Sequence, residues 1–137
     1  MIKEFWLNLP VKDINRSKAF FTHLGFKFNA QNGNSDSSAC LLIGDKNAVV
    51  MLFEEPAFKG FTNHEVADTG KGSEVLLSIG VQSKEEVDRL VLKVVEAGGI
   101  CSHTPSEMKG WMYGSLFIDP DGHRWNVLYM DMSRMPK

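Results

Sequence analysis

A chain of 137 residues, 43% hydrophobic and 23% charged, has ordinary globular usage, which excludes a disordered chain or a fibrous repeat. At this length folding buries roughly two-thirds of the surface that the unfolded chain exposes, enough for a core without disulfide staples. The formal net charge is −2 with lysines and arginines scattered among carboxylates, so no basic field is offered to a phosphate backbone and nucleic acid is not an expected partner.

No segment approaches the about 18 apolar residues of a membrane span, so no membrane contact is expected and the chain reads as cytoplasmic. Cys40 and Cys101 lack CxxC spacing and read as small core residues without chemistry.

Residues 4–11 (EFWLNLPV) alternate as a strand, and Asp13 is a good N-cap for the periodic run Ile14, Ser17, Phe20, Phe21 and Leu24. Gly25 suits the position after a helix. Residues 26–30, 39–43 and 47–53 then read as three strands separated by the turns GNSDSS and GDKN. The stretch 54–73 is polar, rich in Gly and Thr and without a sustained period. It reads as a linker, about 56–73, between a first module of about 1–55 and a second of about 74–131.

The order then recurs. Residues 74–81 alternate as a strand, and Ser83 with Glu86 forms a capping box for a helix that should bury Val87, Leu90, Val91, Val94 and Val95 before Gly98 and Gly99 stop it. Residues 100–103, 112–118 and 123–130 follow as strands, the last two joined by the turn Asp119-Pro120-Asp121-Gly122. Phe20, Phe21, Phe26 and Trp125 are expected in the core. The fold class predicted is α+β: two βαβββ modules whose mixed sheets pair into a cup, with helices outside and a groove of the kind that binds ligands.

Leu9-Pro10-Val11-Lys12-Asp13 leading into Arg16-Ser17 and Phe20-Phe21, then Leu24-Gly25-Phe26, Ala97-Gly98-Gly99 and residues 117–123 (FIDPDGH), together resemble the vicinal oxygen chelate superfamily, which includes glyoxalase I, bleomycin resistance proteins and extradiol dioxygenases. The resemblance spans nearly the whole chain. It implies a paired βαβββ cup, often in a homodimer, whose enzyme members chelate a divalent metal with side chains from the first and last strands of each module.

The positions matching those ligands hold Trp6, Met51, Glu74 and Asn126. An indole has no lone pair for a cation, a thioether is soft, and an amide oxygen is weak. One carboxylate does not replace the about three strong ligands of a catalytic site. His23, His64 and His103 show no HxH or HxxxH spacing, and alternation sends His123 to the face opposite Asn126. The expectation is therefore no metal ligand set and no cofactor, with a divalent metal disfavoured.

There is no GxSxG elbow, P-loop or GxGxxG. The leading expectation is a protein that binds a small aromatic or amphipathic molecule through Trp6, Asn8, Met51, Phe53, Trp111, Tyr113 and Asn126 without a catalytic metal, with Trp111, between Gly110 and Gly114, as a lid. The alternative is a lyase, isomerase or dioxygenase of the superfamily using Glu74, with or without a divalent metal drawn to Glu74, Asn126 and a histidine. Glu74 is singled out because a carboxylate facing an apolar cup has its charged form disfavoured and can transfer protons near neutral pH.

Overall fold

Asp13 opens the first helix, α1 (Ile14–His23), as its side chain suggests: the carboxylate accepts from the N–H groups of Asn15 and Arg16, donors that no helical carbonyl reaches. Glu54 Oε2 accepts from Ile14 N–H at 3.0 Å. At the other end Gly25 takes a φ of +91°, and Phe26 N–H donates to the Phe21 carbonyl.

The computed structural model describes residues 1–137 in two units, Met1–Asp68 and Thr69–Lys137. In the first, α1 lies on a sheet of β1 (Leu7–Val11), β2 (Lys27–Phe28), β3 (Ser38–Ile43) and β4 (Ala48–Glu54), in the order β1-β4-β3-β2. β1 runs parallel to β4 and the other pairs are antiparallel. Leu9, Val11, Ala39, Leu41, Val50 and Leu52 are buried with Ile14, Phe20 and Phe21 of the helix. Period two sends Asn8, Pro10, Cys40, Met51 and Phe53 to the other, open face.

The same unit ends in a helix, α2 (Glu55–Thr62). The second unit places α3 (Lys84–Glu96) on a five-stranded sheet: β5 (Leu76–Val81), β9 (Arg124–Met130), β8 (Met112–Ile118) and β6 (Ile100–Cys101) in that order, with β7 (Ser106–Met108) also paired to β8. β5 is parallel to β9. Ser83 Oγ accepts from Glu86 N–H, while the Glu86 carboxylate reaches back to Gln82 N–H, one residue before the expected partner. Trp125 and Phe117 are fully buried and stacked, with ring centroids 5.9 Å apart. Each such ring contributes about 1.5–3 kcal/mol by leaving water.

The α+β class with two mixed sheets is as expected, and several local readings are corrected. The stretch expected to be a linker contains α2, opened by Pro56 in its first turn and closed by Asn63 at φ +52°. The strand expected at 26–30 shrinks to Lys27–Phe28, the one expected at 100–103 shrinks to Ile100–Cys101, and β7 adds a strand to the second unit beyond the expected βαβββ order. Val95 is exposed rather than buried, because Val87, Leu90 and Val94 define the core stripe of α3 and Val95 lies at its edge. A short 3-10 turn, Met132–Arg134, ends the chain's regular structure. No helix is long and apolar enough to cross a membrane.

Candidate functional site

Two open sheet faces carry most of the residues singled out in the sequence. On the first sheet Asn8, Met51 and Cys40 are register partners and form one row across β1, β4 and β3. Pro10, Phe53 and Ser38 form the next. Trp6 lies just before β1 and is about half exposed, at 48%.

Met51 is not bare. The 29–37 segment crosses over it, and a Cβ on Gly33 would lie 2.8 Å from Cys40 Cβ and 3.2 Å from Met51 Cε. The segment is pinned by Ser38 Oγ donating to the Gly33 carbonyl at 3.0 Å and by Asn29 Oδ1 accepting from the N–H groups of Gln31 and Asn32. Burial pushes the Cys40 and Cys101 thiols above the usual cysteine range, which suits their reading as unreactive residues.

Phe53 meets an aromatic that the sequence reading missed. Phe61 of α2 stands edge-on to it, with centroids 4.9 Å apart and planes at 77°. Phe61 is 69% exposed, and α2 buries none of its residues. The signal was available in the spacing of Phe58 and Phe61 after Pro56, but one short turn of aromatics does not distinguish a helix from a loop.

On the second sheet Asn126 lies on the open face of β9, half-buried, and its Nδ2 donates to Ser78 Oγ on β5 at 3.2 Å. Tyr113 does not join it. The register pairs Tyr113 with Tyr129, and the phenol faces α3, where it donates to Asp88 Oδ1 at 2.6 Å. That bond to a carboxylate pushes the Tyr113 phenol up to about 12. Lys84 sits over the same ring and is ion-paired with Glu107.

Trp111 is not on a long loop. Met108 to Trp111 is a tight hairpin turn with Lys109 at φ +54° and Gly110 at φ +76°, the two positive values of a type I′ turn. The Trp111 carbonyl accepts from Asp131 N–H at 2.8 Å, fixing the strand end. The lid expected there is replaced by a braced hairpin.

Glu74 precedes β5 and is exposed to solvent, so the apolar surroundings that would disfavour its charge are not built around it. His123 is buried, on the face opposite Asn126 as alternation requires. Its N–H donates to Asp119 Oδ1 at 3.0 Å, and Trp125 Nε1 donates to Asp119 Oδ2 at 3.1 Å.

The divalent ion implied by the resemblance finds poor ligands at the matching positions. They hold an indole, a thioether under Gly33, an exposed carboxylate, and an amide already bonded to Ser78. No three His, Cys, Asp or Glu side chains converge elsewhere as a metal site.

Residues 5–127 match the family model described as Glyoxalase/Bleomycin resistance protein/Dioxygenase superfamily. Among solved structures, the hypothetical protein SA1046 from S. aureus is 38% identical, with a TM-score of 0.83 over 94% of each chain. A glyoxalase/bleomycin resistance protein/dioxygenase family enzyme from Burkholderia phytofirmans PsJN is 22% identical, with a TM-score of 0.77 over 91% of this chain and 96% of that one. The fosfomycin resistance protein FosX from Listeria monocytogenes, solved as a mutant complexed with Mn(II) and 1S,2S-dihydroxypropylphosphonic acid, is 18% identical, with a TM-score of 0.66 over 93% and 90%. The last two show likeness of fold alone. No curated protein matches the chain.

Proposed function

Because the chain belongs to the glyoxalase/bleomycin resistance protein/dioxygenase superfamily, we propose that it binds a small aromatic or amphipathic molecule over its open sheet faces, as a homodimer in the cytoplasm and without a catalytic metal. The observation that carries this reading is the exchange of metal-binding chemistry for apolar and amide groups: Trp6, Met51 and Asn126 stand where cation ligands are implied, and the open face of the first sheet adds the Phe53–Phe61 pair. Aromatic faces and a few neutral hydrogen-bonding groups are what a flat, partly polar ligand needs. Asn8 adds one polar group to the first face. Glu74 has no part in binding, and Glu74→Gln leaves it unchanged.

Elemental analysis and thermal shift of the untagged protein against Ni, Zn, Mn and Fe(II) test the metal half of the proposal, since any ion held by the native state alone raises its stability. No stoichiometric metal and no shift are expected; a stoichiometric metal with a clear shift overturns it. Quenching of tryptophan fluorescence by 1-naphthol tests the ligand half. Saturable quenching, weakened about tenfold in Phe53→Ala, is expected, a tenfold change being about 1.4 kcal/mol. Absence of saturation overturns it.

A further inference from the structure

Ser78 was not singled out by the sequence, yet it is the residue to which Asn126 is tied. The two are register partners on adjacent parallel strands, β5 and β9, and Asn126 Nδ2 donates to Ser78 Oγ at 3.2 Å. Neither side chain makes another hydrogen bond. A carboxamide carries two N–H donors and an acceptor oxygen, and a hydroxyl carries one donor. With one Asn126 N–H committed to Ser78, an acceptor, Asn126 Oδ1, remains beside two donors, the second Asn126 N–H and the Ser78 O–H.

The surroundings of the pair are apolar. Leu76 and Gly80 flank Ser78 on β5, Leu128 follows Asn126 on β9, and Leu116 is the register partner of Asn126 on β8. Leu76 is 55% exposed and Asn126 is half-buried, so the pair opens to solvent between leucines. The charged neighbour on the same face of β9, Arg124, is turned aside: its Nη1 donates to the carbonyls of Gly122 at 2.7 Å and Thr69 at 3.4 Å. A neutral group with adjacent donor and acceptor satisfies this arrangement, whereas a ligand lacking either would leave a half-buried polar atom unpaired.

We propose that Ser78 and Asn126 form a recognition pair for the cis-amide edge of a small flat ring, the N–H and C=O that a lactam, pyridone or imide presents side by side. The proposal rests on the small-molecule reading above and names the ligand class for this face.

The test uses the intact protein and two probes differing by one methyl group, 2-pyridone and N-methyl-2-pyridone, followed by the backbone amide signals of β5 and β9 in ¹H–¹⁵N spectra. Saturable shifts with 2-pyridone are expected, with N-methyl-2-pyridone binding about tenfold more weakly, the size of one lost hydrogen bond. Asn126→Asp, which removes the amide donors, and Ser78→Ala should each weaken 2-pyridone binding about three- to tenfold. Ser78→Ala deletes only an exposed hydroxyl and keeps the test decisive if Asn126→Asp fails to fold. Equal affinity for the two pyridones, or no loss in Ser78→Ala, overturns the proposal. If 1-naphthol binds and 2-pyridone does not, the pair is refuted while the small-molecule reading stands; if neither binds, both fall.

Discussion

Asp119 shows how much one side chain in a tight turn can carry. At 5% exposure it accepts from Asp121 N–H, His123 N–H and Trp125 Nε1. Burial raises its carboxyl above the usual aspartate range, against the opposing pull of His123 and of these donors. A raised acid pKa means that the folded chain holds this proton more tightly than the unfolded one. Between the ordinary aspartate value and the raised one, the Asp119 contribution to stability therefore falls as pH rises; above the raised value it is flat. Asp119→Asn should abolish that acid-side slope in urea unfolding. It should also cost about 1–3 kcal/mol at neutral pH, because an amide N–H then faces a donor. An unchanged slope would assign it to another group. For Tyr113 the expected phenol titration lies at about 12. Asp88→Asn should bring it down toward the ordinary tyrosine range, read by absorbance of the phenolate.

Among the elements, the hairpin of β8 and β9 tolerates least. A Cβ on Gly114 would stand 2.4 Å from the Val127 carbonyl oxygen and 2.6 Å from Leu128 Cδ2, and backbone cannot yield as a flexible side chain can. Gly114→Ala should cost about 1–3 kcal/mol, seen as a lower urea midpoint. Gly60 in α2 is the opposite case, with nothing within 4 Å of an added methyl and a helical backbone. Gly60→Ala should be neutral or stabilising by up to about 1 kcal/mol. The capping signals at Asp13 and Ser83 were legible because a helix end is solved by residues within a few positions of it. The Ile14 N–H to Glu54 bond, 40 residues apart, was not.

At the scale of the whole molecule, the recurrence of strand, helix and strands was legible, since alternation and helical period are local properties of the chain. The homodimer proposed above is checked by sedimentation equilibrium, where a mass twice the 15.3 kDa of the chain is expected. A monomer at working concentrations would remove it. The expected metal indifference is checked on the same sample.

The sequence by itself determined the recurrence of strand, helix and strands, the starts of α1 and α3, the DPDG turn and the superfamily, but not α2 or β7, because caps, turn residues and hydrophobic period act over a few residues. It also placed His123 opposite Asn126, the two lying three residues apart along one extended run. Only the tertiary structure decided that Tyr113 faces α3, that Asn126 meets Ser78, that Gly33 covers Met51, and that Phe61 stands against Phe53. The reason is register: which residues share a face across strands depends on how the strands are paired, and a shift of one residue would exchange the faces.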